Sequence, residues 1–261
     1  MSTRFDFARA AAILRFHRRA GTRLAALPED LRPRSRAEGY AVQAHWGKDA
    51  DLFGWKIAAT SAAGQAHIGV SGPLAGRIFA DTVVPDGGAC SLAANTMRLA
   101  EPEFAFRFGR DLAPQSKPRS PEEVLDAVTT LHPAIELPDS RYKDVVHAGE
   151  AAIIADNACA HGFVLGPPAP DGWRRLDLAA LRLSAQVGAR YSREGVGAAV
   201  LGDPRAALAW LVNEMSSLGL TLRAGAVVTT GTCCQPLDLE PGDGVHVDFG
   251  PVGSVSVMLT D

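Results

Sequence analysis

The stretch LAEPEFAFRFGRDL, residues 99–112, constrains the fold more than any other. Successive side chains of a strand point to opposite faces, so Glu101, Glu103, Ala105 and Arg107 share one face and Phe104, Phe106 and Phe108 the other. The phenylalanines read as core. The two carboxylates stand roughly 6–7 Å apart at the backbone, close enough to converge on one object. Like charges that close push each other's pKa upward. A solvated surface tolerates that, and so does a shared cation. The competing reading is an exposed edge strand whose edge is protected by Pro102.

The rest of the chain reads as α+β. Phe5, Ala8, Ala12, Phe16, Ala20, Leu24 and Leu27 form a helical stripe near the N-terminus. A second helix is expected from Ser35, with Glu38 three residues later as in a capping box, to about Gly47. Short alternating runs broken by Gly and Pro follow from residue 52. Ser120, Pro121 and Glu123 announce a short helix, with Pro at its first position and Val124, Leu125 and Val128 inside. Asp203 and Pro204 announce a longer one, with Ala207, Leu208, Leu211, Val212, Met215 and Leu218 inward and Gly219 closing it. LRLSAQVG, GVHVDFG and SVSVML alternate cleanly, so the C-terminal half is expected to be antiparallel β. The expected organisation is an N-terminal helical segment over residues 1–48 and a β-rich catalytic unit over 49–261.

Composition narrows the function. With 26 basic and 29 acidic residues among 261 and a net charge of −3, the chain has no long run of one sign. That argues against nucleic acid and against an anionic membrane as partners. No run approaches the ~18 apolar residues that span a bilayer. Arg4, Arg9 and Arg15 interrupt the apolar run a signal peptide needs, and this Arg-rich start reads as a folded helix rather than a transit peptide. Cys90, Cys159, Cys233 and Cys234 show neither zinc spacing nor a disulfide framework, which suits reduced thiols in the cytoplasm. There is no Gly-rich phosphate loop, no serine elbow, and no zincin spacing in HAGEAAI.

A third acid, Glu136 in LHPAIELPDSRY, lies in a short apolar run flanked by Pro133 and Pro138. Three oxygen ligands from two strands suit a hard divalent ion such as Mg²⁺ or Mn²⁺, and the lack of Cys or His beside them argues against zinc. Lys56, in FGWKIAATS, sits among apolar and small residues. Burial lowers a lysine's pKa, and such a group can shuttle protons; the plainer alternative is a strand lysine that snorkels to solvent.

GWKIAATS, AEPEFAF, PAIELPDSR, ADNACAHGFVLG, DPRAALAWLVNEM and AGAVVTTGT followed by PGDGVHVDFGPVGSVSV occur in that order. The chain from about Ala41 onward resembles the hydratase/decarboxylase branch of the fumarylacetoacetate hydrolase superfamily. That branch includes 2-keto-4-pentenoate hydratases and 4-oxalocrotonate decarboxylases of aromatic catabolism. The resemblance implies a mixed, largely antiparallel β-roll with flanking helices. It implies metal ligands at Glu101, Glu103 and Glu136, an active-site lysine at Lys56, and Mg²⁺ or Mn²⁺ as cofactor. The implied activity is that of a metal-dependent lyase on short 2-oxo or 2-hydroxydienoic acids, in which Lys56 moves the proton that turns a dienol into an enone. Hydration leads; decarboxylation or keto-enol tautomerisation on the same scaffold is the alternative. A non-enzymatic partner subunit is a third reading, against which the intact acids and Lys56 count. The family tends to form homo-oligomers, and a complex with a sister decarboxylase or hydratase is the other partner it implies.

Two positions depart from the family pattern. Leu74, in GPLAG, replaces an aspartate near the substrate, and Cys159 replaces a serine. Thr232 matches a threonine that other branches use at the substrate carboxylate. Ser61, Asp139, Arg141 and Asn157 complete the expected pocket groups. Cys159 reads more simply as a small buried hydrophobe than as a nucleophile, and His132 and His161 as structural histidines.

Overall fold

The computed structural model describes residues 5–261, so Arg4 lies outside the described residues. The first helix, α1 (Phe7–Ala20), starts where the Asp6 side chain accepts a hydrogen bond from Arg9 N at 2.9 Å and ends at Gly21, φ 62°. Its buried face is Ala10, Ala11 and Leu14, not the expected stripe, and Phe16 stays 59% exposed. The two alanines allow close approach, so the helix docks through small residues onto a cluster with Val42, Trp46, Phe79, Tyr142 and Ala155. Leu24 and Leu27 join that cluster from the loop beyond the helix. The next helix, α2 (Arg36–Gln43), stops four residues short of the expected end. Ser35 Oγ caps it by accepting from Glu38 N at 3.2 Å. The Glu38 carboxylate reaches back to Arg34 N instead of Ser35 N, so the capping box is only half formed.

Two sheets carry the remainder, with strands numbered along the chain. The larger runs β2 (Leu74–Phe79), β1 (Leu52–Ala58), β10 (Val227–Thr232), β5 (Leu99–Phe108), β6 (Val128–Leu137), β7 (Gly162–Leu165) and β3 (Val83–Pro85), with β11 (Leu237–Asp238) also on β5. The β1–β10 and β3–β7 pairs are parallel and the others antiparallel. The smaller sheet runs β4 (Ala89–Ser91), β13 (Ser254–Thr260), β12 (Gly244–Asp248), β8 (Arg182–Val187) and β9 (Tyr191–Val196). The alternating C-terminal runs thus form the antiparallel strands expected of them, with only β4–β13 parallel.

Phe104, Phe106 and Phe108 face the main core, which also takes in Val245, Val247, Val255 and Val257 of the smaller sheet. The Phe104 and Phe249 rings meet edge to face at 5.1 Å. Each buried phenylalanine contributes about 1.5–3 kcal/mol through apolar burial, which ties β5 firmly in place. Two further helices start where expected, α4 (Pro121–Leu125) with its Ser120–Glu123 capping box and α6 (Pro204–Ser217) capped by Asp203, but α4 ends at Leu125 and Val128, expected inside it, opens β6 instead. Two short helices complete the chain, α3 (Ala62–Ile68) and α5 (Glu150–Ala155), the second packed on α2.

The strand β5 is central, paired with β10 on one side and β6 on the other, which overturns the edge-strand alternative. Pro102 is tolerated because it lies just past a bulge in β10, where the Cys233 carbonyl that would face its nitrogen accepts from Val196 N instead. Glu103 pairs with Thr232 and Ala105 with Thr229, two residues against three. Beyond this bulge no acceptor of β10 waits for the N–H that proline lacks, while the Pro102 carbonyl accepts from Cys233 N at 2.8 Å.

Candidate metal centre

The register sets the acids. Glu101 lies opposite Glu136 and Glu103 opposite Ala134, so three carboxylates rise from two adjacent strands on one face. One carboxylate oxygen of each lies within 4.8 Å of the others. Glu103 and Glu136 are 0% and 1% exposed and Glu101 is half-buried. Lys56 joins them from β1 through β10: it pairs with Thr229, which pairs with Ala105, two residues from Glu103 on the same face.

Glu103 is held by a device the sequence reading missed. Thr229 Oγ1 donates to its Oε2, and so does Gly231 N at 2.6 Å. Gly231 can do so because it forms the bulge with φ 100°, where a Cβ would also strike Thr60 Oγ1 at 2.2 Å. A glycine inside the strand pattern VVTTGT was the available signal for a bulge. With Oε2 occupied, Oε1 of Glu103 is left buried and without a donor, as is Oε1 of Glu136, whose Oε2 faces the Lys56 ammonium at 3.3 Å. Orphaned buried carboxylate oxygens facing one another cost several kcal/mol unless a cation lies among them. The residues therefore fit a divalent ion held by oxygen ligands.

The charges are strongly coupled. Burial, then repulsion from Glu101, pushes the Glu103 carboxyl up to about 7 against the pull of Lys56. Burial raises Glu136 well above the carboxylate range despite Lys56. Burial alone pulls Lys56 down, as expected from its surroundings, but Glu136, Glu101 and Glu103 push it up further, so its net shift is upward. That reverses the expected fall. Lys56 is 2% exposed and so does not snorkel; its Nζ donates to the Ala158 carbonyl at 3.2 Å and lies 3.3 Å from Oε2 of Glu136.

The other candidate residues separate into two groups. Leu74, fully buried, lies across from Ala58 on the face that carries Lys56. Cys159 is near enough to Lys56 and Glu136 to feel both charges, and burial pushes its thiol up to about 12, so it is no thiolate at neutral pH. Thr232 stands in register with Glu103, its hydroxyl donating to the Cys234 carbonyl at 2.9 Å. Ser61 caps α3 through Gly64 N at 3.0 Å, five residues beyond Lys56.

Asp139, Arg141 and Asn157 have their polar groups engaged in the frame. Asp139 accepts from Thr96 N at 2.9 Å and pairs with Arg23. Arg141, fully buried, pairs with Asp156 and stacks over Trp46 at 4.8 Å. Asn157 exchanges hydrogen bonds with the backbone of Arg77. Both histidines are held neutral by burial: His132 bonds Thr130 and the Gly166 carbonyl, and His161 is pushed down to about 4 by burial and Arg18.

Among the described residues no helix is long and apolar enough to cross a membrane. Residues 56–259 match the family described as fumarylacetoacetate (FAA) hydrolase C-terminal. A 4-oxalocrotonate decarboxylase of Pseudomonas sp is 33% identical over 215 residues, covering 82% of this chain and 80% of that one. The 2-keto-4-pentenoate hydratase 1 of Dechloromonas aromatica (strain RCB) is 32% identical over 255 residues, covering 96% and 95%. The solved 4-oxalocrotonate decarboxylase from Pseudomonas putida G7, complexed with magnesium and adipate, aligns at a TM-score of 0.88 and 26% identity over 97% of each chain. The likeness read from six ordered motifs is thereby borne out, fold included. The match opens at Lys56 and spans all three acids, and the chain belongs to the fumarylacetoacetate hydrolase family.

Proposed function

We propose that this protein is a divalent-metal-dependent lyase acting on short 2-oxo and 2-hydroxydienoic acids, with addition of water as its principal reaction. The observation that carries this reading is the cluster of Glu101, Glu103 and Glu136 with the Lys56 ammonium against it. Its relatives named 2-keto-4-pentenoate hydratase, at 32–36% identity, support it. Mg²⁺ or Mn²⁺ is the ion that three carboxylates suit, and when bound it supplies Lewis acidity for an oxygen of the 2-oxo acid.

The chain's own residues do the rest. Glu103, pinned through Oε2 by Thr229 and Gly231, presents only Oε1 to the site. Lys56 is held by the Ala158 carbonyl and keeps further N–H groups for substrate, so it can deliver and recover the proton that interconverts dienol and enone. Thr232, in register with Glu103, is the candidate for the substrate carboxylate, and Leu74, Cys159 and Ser61 are the candidates for contact with the rest of the substrate. Asp139, Arg141 and Asn157 serve the frame around it. We place the enzyme in the cytoplasm, consistent with its four free cysteines, as a homo-oligomer. Residues 1–48 form the helical lead-in and 49–261 the catalytic unit.

One observation favours decarboxylation as a second reading: the decarboxylase structure aligns along nearly the whole chain, and apolar Leu74 offers no group to place a water. In that reaction a distal carboxylate leaves as carbon dioxide. An NMR time course with Mg²⁺ and either 2-hydroxypenta-2,4-dienoate or 2-hydroxymuconate separates the readings. Water added to the dienoate is the expected result; carbon dioxide released from the muconate alone would replace it with decarboxylation. Neither reaction, nor proton exchange, on both compounds would overturn the lyase assignment and leave the partner-subunit alternative.

A further inference from the structure

Three consecutive residues without a glycine among them, Asn157, Ala158 and Cys159, have φ of 56°, 49° and 62°. Left-handed backbone at a non-glycine residue costs of the order of 1–3 kcal/mol and persists only where the surroundings over-determine it. Here they do. On the near side Gln43 Nε2 donates to the Ile154 carbonyl at 3.1 Å and Trp46 Nε1 to the Ala155 carbonyl at 2.7 Å. Arg141 holds Asp156. Beyond the turn, Asp139 N donates to the Cys159 carbonyl at 2.9 Å and Arg18 Nη2 to the His161 carbonyl at 2.9 Å.

Within the turn, one side chain does what a strand would do. Asn157 Oδ1 accepts from Arg77 N at 2.7 Å, and its Nδ2 donates to the Arg77 carbonyl at 2.8 Å. Arg77 lies on β2, the last strand of the larger sheet, so the carboxamide occupies an outward-facing N–H and C=O that an edge would leave unpaired. The neighbouring Gly76 makes room: a Cβ there would stand 2.5 Å from the Asn157 carbonyl and 3.0 Å from Lys56 Cγ. Turn, edge strand and lysine stem therefore meet at one point. The product of this arrangement is the Ala158 carbonyl, aimed at Lys56 Nζ.

We propose that Asn157 is a positioning residue for Lys56: by docking the left-handed turn on Arg77, it fixes the carbonyl that orients the ammonium. The proposal rests on the reading of Lys56 as the proton carrier, and the test keeps the two apart. Lys56→Met, Asn157→Gly and the native protein are compared with Mn²⁺ and 2-hydroxypenta-2,4-dienoate. Glycine tolerates the left-handed φ, so Asn157→Gly removes the carboxamide without straining the turn. The expected kcat falls by about 10- to 100-fold, the scale set by a misplacement of up to ~1 Å. KM and Mn²⁺ affinity are expected to hold within about two-fold, since binding contacts are untouched. In hydrogen exchange the Arg77 amide opens faster. Native kcat in Asn157→Gly overturns the proposal, and so does a fall in kcat accompanied by loss of Mn²⁺ affinity, which marks general collapse of the site. If Lys56→Met itself turns over at the native rate, the proton-carrier reading falls instead. Should Asn157→Gly not fold, Asn157→Asp carries the test: it is isosteric, keeps the acceptor for Arg77 N and loses the donor to the Arg77 carbonyl. It is expected to show the same split in kcat, by about 3- to 10-fold, and native kcat there overturns the proposal equally.

Discussion

Lys56 Nζ lies 3.3 Å from Oε2 of Glu136, with the two side chains 2% and 1% exposed. A buried pair of this kind cannot be read alone, because Glu101 and Glu103 share the same space. Fully ionised, three carboxylates and one ammonium sum to −2, the charge a divalent cation cancels. Without that cation the cluster relieves itself in the only ways open to it. Glu103 and Glu136 hold their protons to higher pH, and Lys56 keeps its own more tightly than burial alone would allow.

The metal-free protein is therefore expected to lose stability as pH rises through this cluster. Glu103 titrates at about 7 when folded, against 4.5 for the ordinary side chain, so between those values the folded state binds more protons than the unfolded one. Its contribution is fully present below about 4.5 and lost as pH climbs through about 7. Glu103→Gln keeps an oxygen to accept from Thr229 and Gly231 but cannot ionise. In metal-free buffer the variant should melt above the native protein at pH 8, with the gap closing towards pH 5. Its Mn²⁺ affinity should fall by at least about 100-fold, as expected for a lost ligand. Calorimetry checks both, and a gap that stays constant from pH 5 to 8 would sink the electrostatic account.

Thr229→Val tests the support beneath the ligand. The change is nearly isosteric and removes one of the two donors on Oε2 of Glu103. Losing a partner of this kind costs roughly 10–100-fold in metal affinity. Because that hydroxyl also holds the Glu103 carboxyl down, the variant should titrate higher still and lose more affinity at pH 6 than at pH 8. Equal Mn²⁺ titrations of variant and native protein at both pH values would show that Gly231 N suffices alone.

What could be read ahead of the structure follows from period and pattern. The two-residue repeat of β5 placed its acids and phenylalanines on opposite faces, and strong packing kept them there. Helices announced by caps and proline, α4 and α6, began at their signals, though α4 stopped at Leu125 and left Val128 to β6. In α1 the reading of which face is buried failed, because a stripe of alanines and phenylalanines does not say which neighbour will arrive, and the helix docked through Ala10, Ala11 and Leu14. Lys56 misled for a related reason: its local sequence is apolar, but its charge partners come from strands 45–80 residues away. The Asn157 turn could not be seen at all, since three left-handed residues have no signature without the backbone of Arg77 to dock on.

Leu74 sits fully buried across from Ala58, two residues beyond Lys56 along the pair. With an apolar side chain here, the native protein should enolise the dienoate faster than it adds water. Leu74→Asp introduces a group that can orient water on that face, and the ratio of hydration to solvent-deuterium exchange should rise. A carboxylate at this fully buried position also costs stability, by about 1–3 kcal/mol, so the melting temperature should drop while the ratio climbs. NMR in deuterated buffer reads the ratio directly. A ratio that does not move in a folded variant removes Leu74 from the choice between hydration and decarboxylation.

Whether Lys56 carries a proton or only a charge is the sharpest question the site poses. Lys56→Met fills similar length without the ammonium, so the fold should hold. It leaves Oε1 of Glu103 and both oxygens of Glu136 for the cation, and Mn²⁺ affinity should stay the same or rise as a competing positive charge disappears. Turnover and solvent-deuterium incorporation should both fall by roughly 10²–10⁴, the usual contribution of a positioned acid or base. Lys56→Arg is the control that separates the two roles, because guanidinium keeps the charge and can hardly release a proton at neutral pH. The expected result is that arginine is nearly as inert as methionine. If the arginine variant exchanged substrate protons at close to the native rate, Lys56 would be an electrostatic anchor. His132 and His161 would then be poor replacements, since both bury neutral rings outside the acid cluster, and the thiol of Cys159 stays protonated up to about 12. The proton would have to travel through solvent reaching half-buried Glu101, which a solvent isotope effect with a changed pH profile would reveal.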